Sequence, residues 1–235
     1  SFKAAQADYD TVVKLRPTWS TAHDLRGSAL LHTGDYVNAI KDFSVSIDLT
    51  KKPADKNYRQ RGLAYSLNGE HALALKDFNR LIAEKRESWS DRLHRSFTLF
   101  NMENYKSASK ALEETENHAD NVQSLLLRFH SIHRAGQHLD PTYSALEASL
   151  RNDVWYKPLV EIYLGRRDVE TLQPMLETAP ANNKCTALYF VAQFYLYRMP
   201  KHFEEKAKAA FSQALLVCSF DAIERGAARA ELERL

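Results

Sequence analysis

Residues 20–36 decide the fold of this chain and read STAHDLRGSALLHTGDY. Within this stretch Gly27 and Gly34 are seven residues apart. Gly62 and Gly69 repeat the same spacing 35 residues later. A period of about 34 residues is typical of helical hairpins that stack on one another, because one hairpin cannot bury its apolar face alone.

Small and aromatic residues follow the glycines at equivalent places in both copies: Ala39, Phe43 and Ser46 in the first, and Tyr65, Ala74, Phe78 and Leu81 in the second. With these positions the chain resembles the tetratricopeptide repeat family over residues 1–87. The resemblance implies an all-α solenoid, a right-handed superhelix of helical hairpins. In each hairpin the first glycine permits a close helix crossing, and the second ends the first helix in a left-handed conformation.

The composition agrees with this fold class. Seven glycines and seven prolines among 235 residues are too few for an all-β protein, which needs such residues at most of its turns. The net charge is +2, without a basic block, so no nucleic-acid partner is predicted. No apolar run approaches the roughly 18 residues that a membrane span requires.

We expect one helical domain over residues 1–235, with repeats that become degenerate toward the carboxyl end. Its predicted segments are a half repeat at 1–19, repeats at 20–54, 55–88 and 89–120, degenerate helical pairs over 121–182, a last repeat at 183–219 and a capping helix at 220–235. Within the degenerate part we predict helices over 153–164 and 167–178. Asp140 is predicted to cap a helix that Pro141 opens.

Three further positions carry local predictions. Pro174 must lie in the first turn of its helix or kink it, because proline removes a backbone donor. Cys185 and Cys218 are predicted to be small buried residues. Two cysteines make neither a disulfide framework nor a zinc knuckle, and they leave the redox compartment open.

A second resemblance covers most of the chain and is specific over residues 121–217. The segment WYKPLVEIYLG at 155–165, then DVETL at 168–172, is similar to the NlpI family of bacterial outer-membrane lipoproteins, as is the repeat-like segment 188–216. This implies a non-catalytic periplasmic adaptor that dimerises and docks peptidoglycan hydrolases and a C-terminal-processing protease. Membrane attachment would come only from a lipid anchor upstream of Ser1.

The first helix of each hairpin turns one face toward the inside of a tetratricopeptide superhelix. The predicted peptide-binding groove is therefore lined by Asp24, Ser28, Leu31, Lys56, Arg59, Leu63, Phe97, Phe100, His130 and His133. A groove with basic residues on one helix and aromatic residues on the next suits an extended peptide or a short helix as partner. In the alternative interpretation, Phe97 and Phe100 pack against neighbouring helices.

Other chemistry is less well supported by the sequence. Lys56 and Arg59 suggest the carboxylate clamp of co-chaperones, but Asp24 nearby would repel a carboxylate. His130 and His133 have the spacing of zinc ligands on a helix, yet no acidic residue or cysteine adjoins them except Asp140. We therefore predict no catalytic residue, no metal and no cofactor.

The leading functional hypothesis is a cell-envelope scaffold in the periplasm, associated with the outer membrane. The alternative is a cytoplasmic co-chaperone-like module that binds the C-terminal peptide of a partner. A homodimer is possible through the aromatic helix that carries Tyr195 or through Phe220 in the final helix; burial of that aromatic helix is the other interpretation.

Overall fold

A computed structural model describes residues 2–51, 53–113, 121–138, 140–149, 155–198 and 200–235, without the side chains of 140, 141, 198 and 200–202. Over these residues the regular structure is helical, with no strand. The α-helices are α1 Phe2–Leu15, α2 Ser20–Thr33, α3 Tyr36–Asp48, α4 Asp55–Leu67, α5 His71–Ala83, α6 Trp89–Asn101, α7 Tyr105–Glu113, α8 Val122–Arg134, α9 Asp140–Ser149, α10 Lys157–Tyr163, α11 Gln173–Thr178, α12 Ala181–Arg198, α13 Pro200–Val217 and α14 Ile223–Arg234. A 3₁₀ turn at Val169–Leu172 precedes α11.

The first two hairpins turn as their glycine spacing predicts. Gly34, between α2 and α3, has φ +84°, and its N–H donates to the carbonyl of Leu31. Gly69, between α4 and α5, has φ +85°. Asp35 then starts α3, where its carboxylate accepts a hydrogen bond from the backbone N–H of Asn38. Left-handed glycine followed by a capping side chain reverses the chain within a few residues.

The other glycine of each pair permits close helix packing inside the hairpin. A Cβ atom on Gly27 would lie 2.9 Å from the ring of Phe43, and one on Gly62 would lie 3.0 Å from the ring of Phe78. Both phenylalanines are completely buried. Each ring therefore packs on the glycine of its own hairpin.

An ion pair that the sequence pattern does not indicate joins the two helices of each of the first two hairpins. Arg26 donates two hydrogen bonds to Asp42 at 2.6 and 2.7 Å. Arg61 makes the same bidentate contact with Asp77, at 2.8 Å for both bonds. Both aspartates are buried. Buried carboxylates require such pairing, because an isolated charge is costly away from water.

The chain divides into two compact units, one formed by residues 1–98 and 219–226 and the other by residues 99–218 and 227–235. Within the second unit, α12 and α13 form the longest hairpin of the described chain, and a disulfide joins Cys185 to Cys218. The burial predicted for both cysteines is confirmed. The sequence predicts no disulfide framework, whereas these two side chains are bonded to each other.

Several helix boundaries differ from those predicted. The final helix begins at Ile223 rather than 220, and the segment predicted as one helix over 167–178 is the 3₁₀ turn followed by α11. Pro174 lies in the first turn of α11, one of the two placements predicted for it. Helix α9 begins at Asp140 itself. The predictions for 114–120, 153–154 and Met199 concern positions outside the described residues.

Candidate protein-binding surfaces

In the first unit, side chains on α2, α4 and α6 contact one another in a series that we call the ladder. Each contact joins two residues 32 positions apart on successive first helices. The contacts are Asp24–Lys56 at 3.2 Å, Ser28–Gln60 at 3.1 Å, Arg59–Asp91 at 2.6 and 2.8 Å and Ser66–Thr98 at 3.0 Å. The predicted groove residues Asp24, Ser28, Lys56 and Arg59 all belong to this ladder.

The strongest contact of the ladder is the bidentate pair of Arg59 and Asp91. The Asp91 side chain is fully buried and that of Arg59 is 29% exposed. The hydrogen bond to Asp91 raises the pKa of the Arg59 guanidinium above its ordinary value. Asp91 also accepts hydrogen bonds from the backbone N–H and the hydroxyl of Ser88, at 2.7 and 2.9 Å.

These pairings change the charge of the basic part of the predicted groove, which Lys56 and Arg59 form. Arg59 is neutralised by Asp91, and Lys56, with a side chain 51% exposed, is paired with Asp24. Arg59 is therefore committed to Asp91, and Asp24 lies beside Lys56, where its negative charge would oppose a partner's carboxylate. The exposed rim of the ladder offers mixed hydrogen-bonding groups instead.

The apolar residues predicted for the groove are buried. Leu31 and Leu63 are 2% and 9% exposed, and Phe97, also in the first unit, is completely buried. In the second unit Phe100 is completely buried and packs edge-on against Tyr105, with a ring distance of 5.1 Å. This is the environment that the packing alternative expects for both phenylalanines, so the polar ladder is the accessible part of the predicted surface.

Residues 219–226, which we call the plug, lie against the carboxyl ends of α2 and α4 in the first unit. The Tyr36 hydroxyl donates to the carbonyl of Phe220 at 2.6 Å, and His32 contacts Asp221 at 3.0 Å. The Phe220 ring covers Gly34, where an added Cβ would lie 2.4 Å from it. Nothing in the sequence pattern indicated this contact, because it joins positions 184 residues apart.

The histidines of the predicted groove lie in the second unit and have separate environments. The ring of His130 is buried, and its Nε2 is 2.6 Å from the Tyr163 hydroxyl, which donates to the carbonyl of Phe190 at 2.7 Å. Burial lowers the pKa of His130 well below its ordinary value. His133 is exposed, and burial of part of its ring lowers its pKa less.

The two histidines border a cavity of about 320 Å³ in the second unit. On its wall Arg134 donates to Glu231 at 3.0 Å and to Gln193 at 3.1 Å. Over the described part of the chain, no group of three or more histidine, cysteine or acidic side chains is placed to hold a metal ion. His130 therefore serves as a hydrogen-bonding core residue through Tyr163.

A second cavity, of about 390 Å³, lies between the 3₁₀ turn, α11, α12 and α13 in the same unit. Its lining is mainly aliphatic and includes Leu172, Leu176, Leu188 and Val191. Tyr195 lies at this cavity, with Lys206 Nζ 5.5 Å from the centre of its ring. Tyr195 is part buried, so its role in a dimer stays a prediction, as does that of Phe220, whose exposed fraction is 44%.

No described helix combines the length and the apolar character needed to cross a membrane. No family model matches the chain. No curated protein sequence matches it significantly.

Solved structures show the fold. A tetratricopeptide repeat protein from Parabacteroides merdae superimposes with a TM-score of 0.62 and 14% identity, over 97% of this chain and 91% of that one. The protein YrrB, described as a tetratricopeptide repeat protein with an unusual peptide-binding site, gives 0.53 and 15% identity, over 87% and 97%. The predicted all-α tetratricopeptide-type solenoid is thus confirmed.

Proposed function

We propose that this chain is a non-catalytic adaptor that binds a peptide segment of a protein partner along the ladder of the first unit. The observation that carries the proposal is the exposed rim of the ladder on α2 and α4, a row of partly exposed polar side chains above a closed apolar layer: Asp24, Ser28, Lys56, Arg59 and Gln60. Such a row presents regularly spaced donors and acceptors to an extended chain. Ser28 and Gln60 lie at its centre and carry no net charge.

The adaptor operates in the bacterial cell envelope, as a relative in function of the NlpI family, with a processing protease and peptidoglycan hydrolases as partners. The disulfide between Cys185 and Cys218 supports this location. Disulfides persist in oxidising compartments such as the periplasm and are rare in the cytoplasm.

The cytoplasmic alternative, a co-chaperone-like module, requires cations that can clamp a C-terminal carboxylate. The neutralised state of Arg59 and the position of Asp24 beside Lys56 oppose that chemistry. The crosslinking experiment below separates this alternative from the envelope adaptor.

Site-specific photocrosslinking tests the proposal. A benzoylphenylalanine at Gln60 is expected to crosslink envelope proteases or hydrolases in intact cells, whereas the same group at Lys41, exposed on α3, is expected to crosslink none of them. Chaperones crosslinked at Gln60 would favour the cytoplasmic alternative. Equal crosslinking from both positions would contradict a binding role for the ladder.

A homodimer is the remaining part of the proposal and has its own test. Light scattering is measured on the Tyr195→Glu and Phe220→Glu variants. The variant whose residue lies in the interface should have half the mass of the wild-type particle. An unchanged mass in both folded variants would exclude these two faces.

A further inference from the structure

The plug makes the three kinds of contact by which proteins hold peptides. Tyr36 donates a hydrogen bond to a main-chain carbonyl, that of Phe220, which any peptide possesses. His32 faces the carboxylate of Asp221. An aromatic ring covers Gly34, where any side chain would collide with it. The first contact gives affinity without regard to sequence, and the other two select an aromatic residue followed by an acidic one.

The surface beneath the plug is built from parts of several helices. His32 lies in the last turn of α2, Tyr36 begins α3, and Leu67 ends α4, where its side chain is 3.1 Å from the position of a Cβ on Gly226. All of these residues, with the plug itself, belong to the first unit. The contact is therefore a property of a single compact unit.

The first four residues of the plug, 219–222, are open to water, whereas Ile223 and Glu224, which follow them, are buried. Phe220 is 44% exposed, and the side chains of His32 and Asp221 are 31% and 30% exposed. Solvent-exposed ion pairs contribute little to stability, at most about 1 kcal/mol. A segment retained in this way can be exchanged for another segment of the same chemistry.

From these contacts we infer that the surface formed by His32, Gly34 and Tyr36 is a binding site for a short peptide in which an aromatic residue precedes an acidic one, and that the plug occupies this site in cis. The inference rests on the proposed adaptor function and names a second contact point for the partner, distinct from the ladder. A partner segment binds there by displacing residues 219–222.

A peptide-binding measurement on the purified chain tests the inference. The probe is a fluorescein-labelled peptide with the plug sequence Ser-Phe-Asp-Ala-Ile-Glu-Arg-Gly, followed by fluorescence anisotropy. Phe220→Ala removes the ring that fills the site and should tighten peptide binding by about tenfold, because occupation in cis lowers the fraction of open sites. Leu216→Ala, at a side chain 85% exposed, is the matched control and should bind as the wild type does.

The site itself is tested by paired glycine variants in the Phe220→Ala background. Gly34→Ala places a methyl group where the peptide's aromatic ring must lie, and should abolish binding. Gly69→Ala imposes the same backbone strain at a turn with no atom within 4 Å, and should leave binding intact. A peptide with alanine in place of phenylalanine should not bind to any variant.

Two results would overturn the inference: equal affinity of the wild type and Phe220→Ala for the peptide, or equal effects of Gly34→Ala and Gly69→Ala. Circular dichroism confirms that each variant is folded. If Gly34→Ala does not fold, protection of the α2 carboxyl end from hydrogen exchange by excess peptide, in Phe220→Ala alone, decides the question. Because the probe is synthetic, its binding is independent of whether the ladder captures an envelope protein.

Discussion

Gly34 and Gly69 have the same backbone conformation, with φ of +84° and +85°, but they differ in what faces them. A Cβ on Gly34 would meet the ring of Phe220 at 2.4 Å, whereas a Cβ on Gly69 would meet nothing within 4 Å. The two hairpin turns are thus equivalent in the backbone and unequal in their packing.

This difference predicts unequal costs for two identical substitutions. Gly69→Ala should lower the free energy of unfolding by about 1 kcal/mol, the cost of a left-handed alanine. Gly34→Ala introduces the same strain and also displaces Phe220, so it should lower the free energy of unfolding by roughly 2–4 kcal/mol. Urea denaturation followed by circular dichroism measures both values. Equal losses would mean that Phe220 moves aside without cost.

The pair of Arg59 and Asp91 is expected to stabilise the first unit. Asp91→Ala removes the buried carboxylate that joins α4 to α6 and also accepts two hydrogen bonds from Ser88. The expected loss is about 2–3 kcal/mol, because Arg59 stays partly exposed and regains some hydration.

A control for Asp91→Ala is available in the same ladder. Lys56→Ala breaks an exposed ion pair with Asp24 and should change stability by less than about 0.5 kcal/mol. If urea denaturation gives similar losses in the free energy of unfolding for the two variants, the buried pair of Arg59 and Asp91 contributes no more to stability than the exposed pair of Lys56 and Asp24.

The disulfide should contribute strongly to the second unit. Its two cysteines are separated by 33 positions, and closing a loop of that size in the unfolded chain stabilises by roughly 3–4 kcal/mol. The Cys185→Ser, Cys218→Ser double variant is therefore expected to unfold at lower urea concentration. A thiol reductant should lower the unfolding midpoint of the wild type and leave that of the double variant unchanged; the same response from both would contradict the role of the bond.

Glu103 is the position where the third hairpin departs most clearly from the first two. It has φ +60° in the turn between α6 and α7, the place that glycine holds in the earlier hairpins. Glu103→Gly should raise the free energy of unfolding by about 1 kcal/mol through relief of this strain. Lys85→Gly, at the other non-glycine residue of positive φ among the described residues, provides an independent comparison, since its φ is +53°. No gain in either variant would show that neither turn is strained.

Acidification should destabilise the protein through His94. Burial lowers the pKa of His94 to about 4, while the unfolded chain keeps an ordinary value near 6.5. The unfolded state therefore takes up the proton first, so stability is complete above about pH 6.5 and declines as the pH falls toward about 4. The full effect is on the order of 3 kcal/mol.

The measurement for His94 compares unfolding curves at about pH 7 and pH 5, a window that limits protonation of the carboxylates. His94→Gln should lose less stability than the wild type over this interval. His138→Gln, at an exposed residue, should behave as the wild type does. Part of the pH dependence will persist in His94→Gln, because burial also lowers the pKa of His130. An identical pH dependence in all three proteins would exclude His94 as its source.

The fold was predictable because its signals are local. Gly27, Gly34, Gly62 and Gly69 mark close crossings and turns within single hairpins, and the structure places all four as expected. The burial of Cys185 and the first-turn position of Pro174 follow from local patterns too.

The surfaces were less predictable because they depend on which distant residues meet. The sequence places Arg59 on an inner helix face but does not reveal that Asp91, 32 positions later, neutralises it. The contact of Phe220 with the turn at Gly34 joins two distant parts of the chain, and the repeat spacing does not predict it. The disulfide likewise depends on how α12 packs against the end of α13, which the sequence does not reveal. The presence of two cysteines was compatible with the bond but did not predict it.

The ladder has a consequence for how such a protein changes its length during evolution. Every contact joins one first helix to the next with the same offset of 32 positions, whereas the equivalent glycines Gly27 and Gly62 are 35 positions apart. Each residue of the ladder therefore meets a non-equivalent position of the neighbouring hairpin, and an exact tandem copy of residues 20–54 would place Leu25 where Gln60 meets Ser28. A chain that lengthens by whole hairpins must therefore acquire new polar residues at each junction if the row is to continue.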